Sequence, residues 1–157
     1  MPATLPDPGR APGTAPAILR LSLGVEPGWV RATLARVDRR AAAWHLTEMQ
    51  RGHLQIVLAE ILNNIDEHAF AQGTRPLLGR YVGLTIRNAA DGLHLRITDS
   101  GAPMPGGCVP GAAHRPDLGG ADLPEGGFGW GLILDLAQEI AYRRHGPLNI
   151  LTLRMPF

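Results

Sequence analysis

Glu60-Ile-Leu-Asn-Asn64-Ile-Asp-Glu-His68 lies within the most strongly periodic stretch of the chain, from His53 to Phe70. Leu54, Leu58, Ile61 and Ile65 fall at i, i+4, i+7 and i+11, which is one apolar face of a helix. Glu60, Asn64 and His68 are spaced by four and share a second stripe, about 100° round from the first. A carboxylate and a carboxamide oxygen presented together are hard donors, suited to Mg²⁺ and its water shell. Taken alone, the same stripe serves equally well as a polar face wetted by solvent.

Upstream of this helix, Ala17-Ile-Leu-Arg-Leu-Ser-Leu23 alternates and reads as a strand, with Arg20 and Ser22 turned outward. Pro27 suits the first turn of a helix running to about Trp44, with Trp29, Leu34, Val37, Ala41 and Trp44 at roughly helical spacing. Trp29 and Trp44 are candidates for a homodimer or partner surface, although core burial is the commoner fate of Trp. Thr47 can cap the next helix, whose start Gly52 weakens. Downstream, Gln72 to Pro76 breaks the periodicity. Tyr81–Arg87 and Leu93–Thr98 read as two strands, joined by hairpin chemistry at Asn88-Ala-Ala-Asp-Gly92. A helix is expected from about Gly129 to Gln138, then a closing hairpin of Ile140–Arg143 and Leu148–Arg154 around His145-Gly146-Pro147. This order predicts an α+β, two-layer sandwich, with helices on one face of a mainly antiparallel sheet. Residues 1–16, with five Pro and two Gly, read as a disordered tail, and 17–157 as the folded domain.

Two further segments sit at element boundaries. Leu95-Arg-Ile-Thr-Asp99-Ser-Gly101 delivers an Asp at a strand end and a Gly two residues later. Asp accepts a hydrogen bond from an exocyclic amine such as that of adenine, and Gly101 lets the backbone pass close to a ligand. The same residues also make an ordinary strand exit. Glu125-Gly-Gly-Phe-Gly129-Trp-Gly131 runs into a helix, a junction whose free N–H groups favour an anion. A flexible linker before a helix reads the same way. The span from Gly101 to Gly131 holds ten Gly and five Pro, too many for a regular element over most of its length.

Composition narrows the chemistry. The chain has 157 residues, and all 15 basic residues are Arg, with no Lys. That excludes a Walker-A loop, a kinase strand Lys, Schiff-base chemistry and a Ser-Lys pair. A GC-rich coding bias would also produce Arg without Lys beside abundant Ala, Gly and Pro. The single Cys108 excludes an internal disulfide and any zinc site built on several thiolates. A net charge of +1 argues against a broad electrostatic grip on nucleic acid or anionic membrane. No apolar stretch approaches the ~20 residues of a membrane span. With no signal-like start and one Cys, the chain is expected in the cytoplasm.

The three segments in this order resemble the ATP-binding fold shared by DNA gyrase B, Hsp90, histidine kinases and MutL. Glu60 and Asn64 match its N box, Asp99-Ser-Gly101 its G1 box, and Gly127-Phe-Gly129 its G2 box. Within that superfamily the chain is similar to the stand-alone anti-sigma-factor serine/threonine kinases. The likeness rests on His68 after the N box, Pro103 after Asp99-Ser-Gly101, Leu123-Pro-Glu-Gly-Gly127 and Asn149. It covers roughly Ala17 to Phe157. Ala69 departs from it, standing where a Gly is frequent.

The resemblance implies ATP and Mg²⁺ as cofactors. Asn64 would bind the metal, and Glu60 would be the general base or would position the nucleophile. Asp99 would take the adenine amine, with Gly101 giving room beside the base. Gly127, Gly129 and Gly131 would lie by the phosphates, and residues 102–126 would form an ATP lid. Arg115, the one cation in that lid, is a candidate phosphate contact and equally a solvated loop residue. Asp66 and Glu67 would add negative charge near the metal or stay at the surface. The implied partners are an anti-anti-sigma factor (a STAS-domain protein) as substrate, a sigma factor as sequestered target, and a second copy in a homodimer. No direct contact with nucleic acid or membrane is implied. The alternative is a non-catalytic, nucleotide-gated binding module.

Overall fold

The computed structural model describes residues 17–71, 76, 78–111 and 128–157. The chain runs β1 (Ala17–Gly24), α1 (Trp29–Ala41), α2 (Glu48–Asn64), β2 (Tyr81–Ala89), β3 (Gly92–Asp99), α3 (Phe128–Leu136), β4 (Gln138–His145) and β5 (Leu148–Met155). The strands form one sheet in the order β1-β2-β3-β5-β4, with every pairing antiparallel. This is the α+β arrangement expected from the order of elements. Residues 1–16, read as a tail, lie outside the described residues.

Strand alternation builds the core. Leu19 and Leu23 of β1, Val82, Leu84 and Ile86 of β2, Leu93, Leu95 and Ile97 of β3, and Leu151, Leu153 and Met155 of β5 are all buried. They share one apolar cluster with Trp29 and Val37 of α1, with Leu54, Leu58 and Ile61 of α2, and with Ile133 of α3. The helical face read from sequence is therefore the buried face. The alternate strand positions point away from the helices; Arg20 and Arg96 among them are exposed, while Thr85, Arg87 and Thr152 are partly buried.

Helix α2 starts at Glu48 with Thr47 as its N-cap, as expected, and Gln50 completes a capping box that offsets Gly52. Gln50 N donates to Thr47 Oγ1 at 3.1 Å, and Thr47 N donates to Gln50 Oε1 at 2.8 Å. Three other boundaries differ from expectation, each for a local reason. The same helix ends in a wider π turn, Ile65–Ala69, in which Phe70 N donates to Ile65 O at 3.0 Å. That turn carries His68 off the Glu60/Asn64 stripe and leaves it exposed. Helix α1 gives way after Ala41 to a 3₁₀ turn, Ala42–Trp44. Helix α3 stops at Leu136, and β4 begins at Gln138, earlier than the expected Ile140. A bulge between Gln138 and Ala141, with Glu139 at φ 53°, absorbs the change of direction.

Trp29 lies in the core at 6% exposure, so it is no partner surface. Its indole Nε1 donates to Asp66 Oδ1 at 2.8 Å, tying the start of α1 to the π turn. Asp66 is thereby a structural acceptor. Trp44 is half-buried and packs against the core.

Candidate functional site

Antiparallel pairing of β3 with β5 sets Asp99 opposite Asn149 at one end of the sheet. Both side chains are buried. Asn149 Nδ2 donates to Asp99 Oδ1 at 2.7 Å, and the N–H of Gly101 donates to the same oxygen at 2.9 Å. Oδ2 accepts no hydrogen bond from the described residues. Burial raises the Asp99 pKa above the usual carboxylate value. The Asn149 amide, the Gly101 N–H and the Arg144 charge oppose that rise without cancelling it. The result is a buried carboxylate oriented through one oxygen, with the other open to an amine donor.

Asn149 is itself oriented from both sides. Its Oδ1 accepts from Tyr142 Oη and from Arg144 Nη1, each at 2.7 Å. Its Nδ2 also donates to Ala102 O at 2.9 Å. Arg144 reaches Gly101 O at 3.1 Å, and Met104 N donates to Tyr142 Oη at 3.0 Å. Side chains of β4 and β5 thus fix both the carboxylate and the backbone that follows it. Sequence reasoning marked Asn149 only by resemblance and missed Tyr142 and Arg144. Their signal was the period-two spacing Ile140, Tyr142, Arg144, which places them on the inner side of an edge strand.

The second half of the site comes from α2. Glu60 and Asn64 are both partly buried and one turn apart. The Asn64 side chain makes no hydrogen bond to a described residue, and its Nδ2 is buried without a partner. Such an orphaned donor costs on the order of 1–3 kcal/mol, a cost an acceptor such as a phosphate oxygen would relieve. Glu60 reaches the first turn of α3. A Cβ at Gly129 would overlap the Glu60 carboxylate, with Cδ only 3.2 Å away. Gly129 therefore makes room for the Glu60 head group at a helix N-terminus, where a negative charge is favoured.

The other predicted glycines differ in surroundings. A Cβ at Gly101 would lie 2.5 Å from Ala69 O and 2.6 Å from Ala69 Cβ, and Ala102 N donates to that same carbonyl at 2.9 Å. Gly101 lets the strand exit pack directly on the π turn and so joins the carboxylate end to the Glu60/Asn64 end. Among the described residues, nothing lies within 4 Å of a Cβ at Gly131. Gly127 and Arg115 lie outside the described residues, as does the proposed lid beyond Gly111.

Among the described residues, no group of three or more His, Cys, Asp or Glu side chains could hold a metal ion. Mg²⁺ bound through one protein oxygen and substrate phosphates needs no such cluster, and Asn64 Oδ1, which accepts no hydrogen bond from a described side chain, is the oxygen available. No helix of the described residues is long and apolar enough to cross a membrane.

None of the curated proteins matches the chain. The sequence model of the histidine kinase-like ATPase domain matches residues 25–155, a span holding Glu60, Asn64, Asp99, Gly129 and Asn149. By that match over most of its length, and by the fold it shares, the chain belongs to the family of histidine kinase-like ATPase domains.

Proposed function

We propose that the chain is an ATP- and Mg²⁺-dependent protein serine/threonine kinase that also acts as an anti-sigma factor. It transfers the γ-phosphoryl group of ATP to a Ser or Thr of a small STAS-domain antagonist and sequesters a sigma factor, in a partner-switching pathway. The observation that carries this reading is Glu60, whose carboxylate lies against Gly129 at the start of α3 and one turn from the unpartnered Asn64 amide. A module that only held nucleotide would have no use for a carboxylate beside the phosphate end.

Each residue has a task that its surroundings support. Asp99, oriented by Asn149 and the Gly101 N–H, accepts the adenine amine at Oδ2. Asn64 supplies an oxygen to Mg²⁺, which when bound neutralises phosphate charge. Glu60 accepts the proton of the attacking hydroxyl as that oxygen bonds to the γ-phosphorus and ADP leaves. Gly127, Gly131 and Arg115 remain candidates for the phosphate end. The absence of Lys fits a phosphate site made from backbone N–H groups, Arg and metal.

The test is phosphate transfer from labelled ATP to candidate STAS-domain proteins. Glu60→Gln is expected to lower transfer by about 10²-fold or more while nucleotide still binds. Nucleotide binding without transfer to any such protein would replace this reading with the nucleotide-gated binding module.

A further inference from the structure

The side of the sheet turned away from the helices carries Arg20 on β1, Arg87 on β2, Arg96 on β3, Arg143 on β4 and Arg154 on β5. Arg154 is engaged: it pairs with Glu139 and donates to Gln138 Oε1. His94 likewise holds Asp91. Arg20, Arg87 and Arg96 make no ion pair or side-chain hydrogen bond with any described residue. Register brings these three together. Arg20 and Arg96 both face Thr85, one from each neighbouring strand, and Arg87 stands two residues along from Thr85. At the usual strand spacing, Arg20 and Arg96 are about 10 Å apart. The three line a shallow depression floored by Ile18, Thr85 and Thr152.

Like charges grouped on adjacent strands weaken a sheet, and one Asp or Glu among these positions would relieve them. We propose that this Arg20/Arg87/Arg96 face is a docking surface for an acidic protein segment, separate from the ATP site and independent of how that site is used. Guanidinium forks spaced across three strands match carboxylates on a peptide or helix laid over the sheet. The paired Asp91 and Glu139 carboxylates interrupt the Arg patch, so it presents three guanidinium forks over a short stretch and no continuous cationic track, which suits a short acidic protein segment better than a nucleic-acid backbone.

The test uses the full chain, with short poly-L-glutamate as the probe and anisotropy as the readout. Oligo(dT) and phosphatidylserine vesicles are run in parallel, and Arg39→Glu/Arg40→Glu on α1 is the control. Poly-L-glutamate is expected to bind at low salt, to weaken as salt rises, and to lose at least about tenfold in affinity with Arg20→Glu/Arg96→Glu. The control is expected to bind like the parent chain. If the charge-reversed protein fails to fold by circular dichroism, Arg20→Gln/Arg96→Gln carries the same comparison. Any of four results overturns the proposal: no binding of poly-L-glutamate, an equal loss in the control, tighter Arg20/Arg96-dependent binding of oligo(dT) or vesicles, or a dimer in sedimentation that Arg20→Glu/Arg96→Glu dissociates.

Discussion

Burial holds the Asp99 carboxyl above its usual pKa, so the folded chain disfavours the ionised form that would accept an amine. A carboxyl whose folded pKa exceeds its unfolded value makes the fold more stable as pH falls through the folded pKa. That gain is complete below the unfolded value, near 3.8. Asp99→Asn removes the titration while keeping an oxygen for Asn149 Nδ2 and the Gly101 N–H. Its stability should equal or exceed that of the parent at neutral pH, and the advantage should shrink as pH falls through the raised pKa, as chemical denaturation across pH would measure. The same variant turns an N–H toward the adenine amine, so ATP affinity should drop by about two orders of magnitude. A parallel loss of stability and affinity would count against the ligand role of Oδ2. Gly129→Ala separates stability from activity in another way. The atoms its Cβ meets belong to the far end of Glu60, which can swing aside, so the melting temperature should hold or rise slightly with the better helix former. Under the proposed kinase reading, transfer should fall about tenfold or more, because the displaced carboxylate no longer reaches the attacking hydroxyl.

At the scale of elements, legibility followed how local the signal was. Leu54, Leu58, Ile61 and Ile65 announced the buried face of α2, because 3.6-residue periodicity is written in the residues themselves. Thr47 announced its cap. The Gln50 half of the capping box went unread, so Gly52 was given too much weight: two backbone groups satisfied at the N-terminus outweigh one Gly inside a long helix. Thr47→Ala should therefore lower stability by about 1 kcal/mol and the melting temperature by about 3 °C. ATP affinity, measured by titration, should not change, because the cap lies at the end of α2 opposite Glu60 and Asn64. The π turn at Ile65–Ala69 was not legible. It depends on Asp66 reaching Trp29 in α1 and on Ala69 packing against Gly101, contacts that no spacing within α2 encodes. For the same reason the four-residue step from Asn64 to His68 misplaced the histidine. The early start of β4 was hidden because its bulge puts Glu139 in a left-handed conformation that sequence pattern does not flag.

Over the whole molecule, the site is assembled from distant parts. Asp99 and Asn149 meet only because β5 inserts between β3 and β4, and Glu60 meets Gly129 only because α3 returns against α2. The sequence named Glu60, Asn64, Asp99 and Gly129 through three short boxes, each ambiguous by itself. It could not name Tyr142 and Arg144, whose part depends on strand order. The missing Lys belongs to this scale too: with it go the compact cation solutions to phosphate binding, leaving helix ends, orphaned amides and Arg. Under the proposed reading nucleotide would span β3, β5, α2 and α3 and link the two ends of the fold, so its binding energy should appear as global stability. Nucleotide with Mg²⁺ at about 100 times its Kd should add roughly 2.7 kcal/mol and raise the melting temperature by roughly 5–10 °C for a chain of this length. The shift should follow the logarithm of nucleotide concentration and fall to about 0.4 kcal/mol at the same concentration in Asp99→Asn. It should persist in Glu60→Gln, whose carboxylate is assigned to the transfer step and not to holding the base. Scanning fluorimetry over a nucleotide series reads all three proteins at once. A shift that survives Asp99→Asn undiminished would move the adenine end away from Asp99, while a shift lost in Glu60→Gln would make Glu60 a binding residue and remove the main support for catalysis.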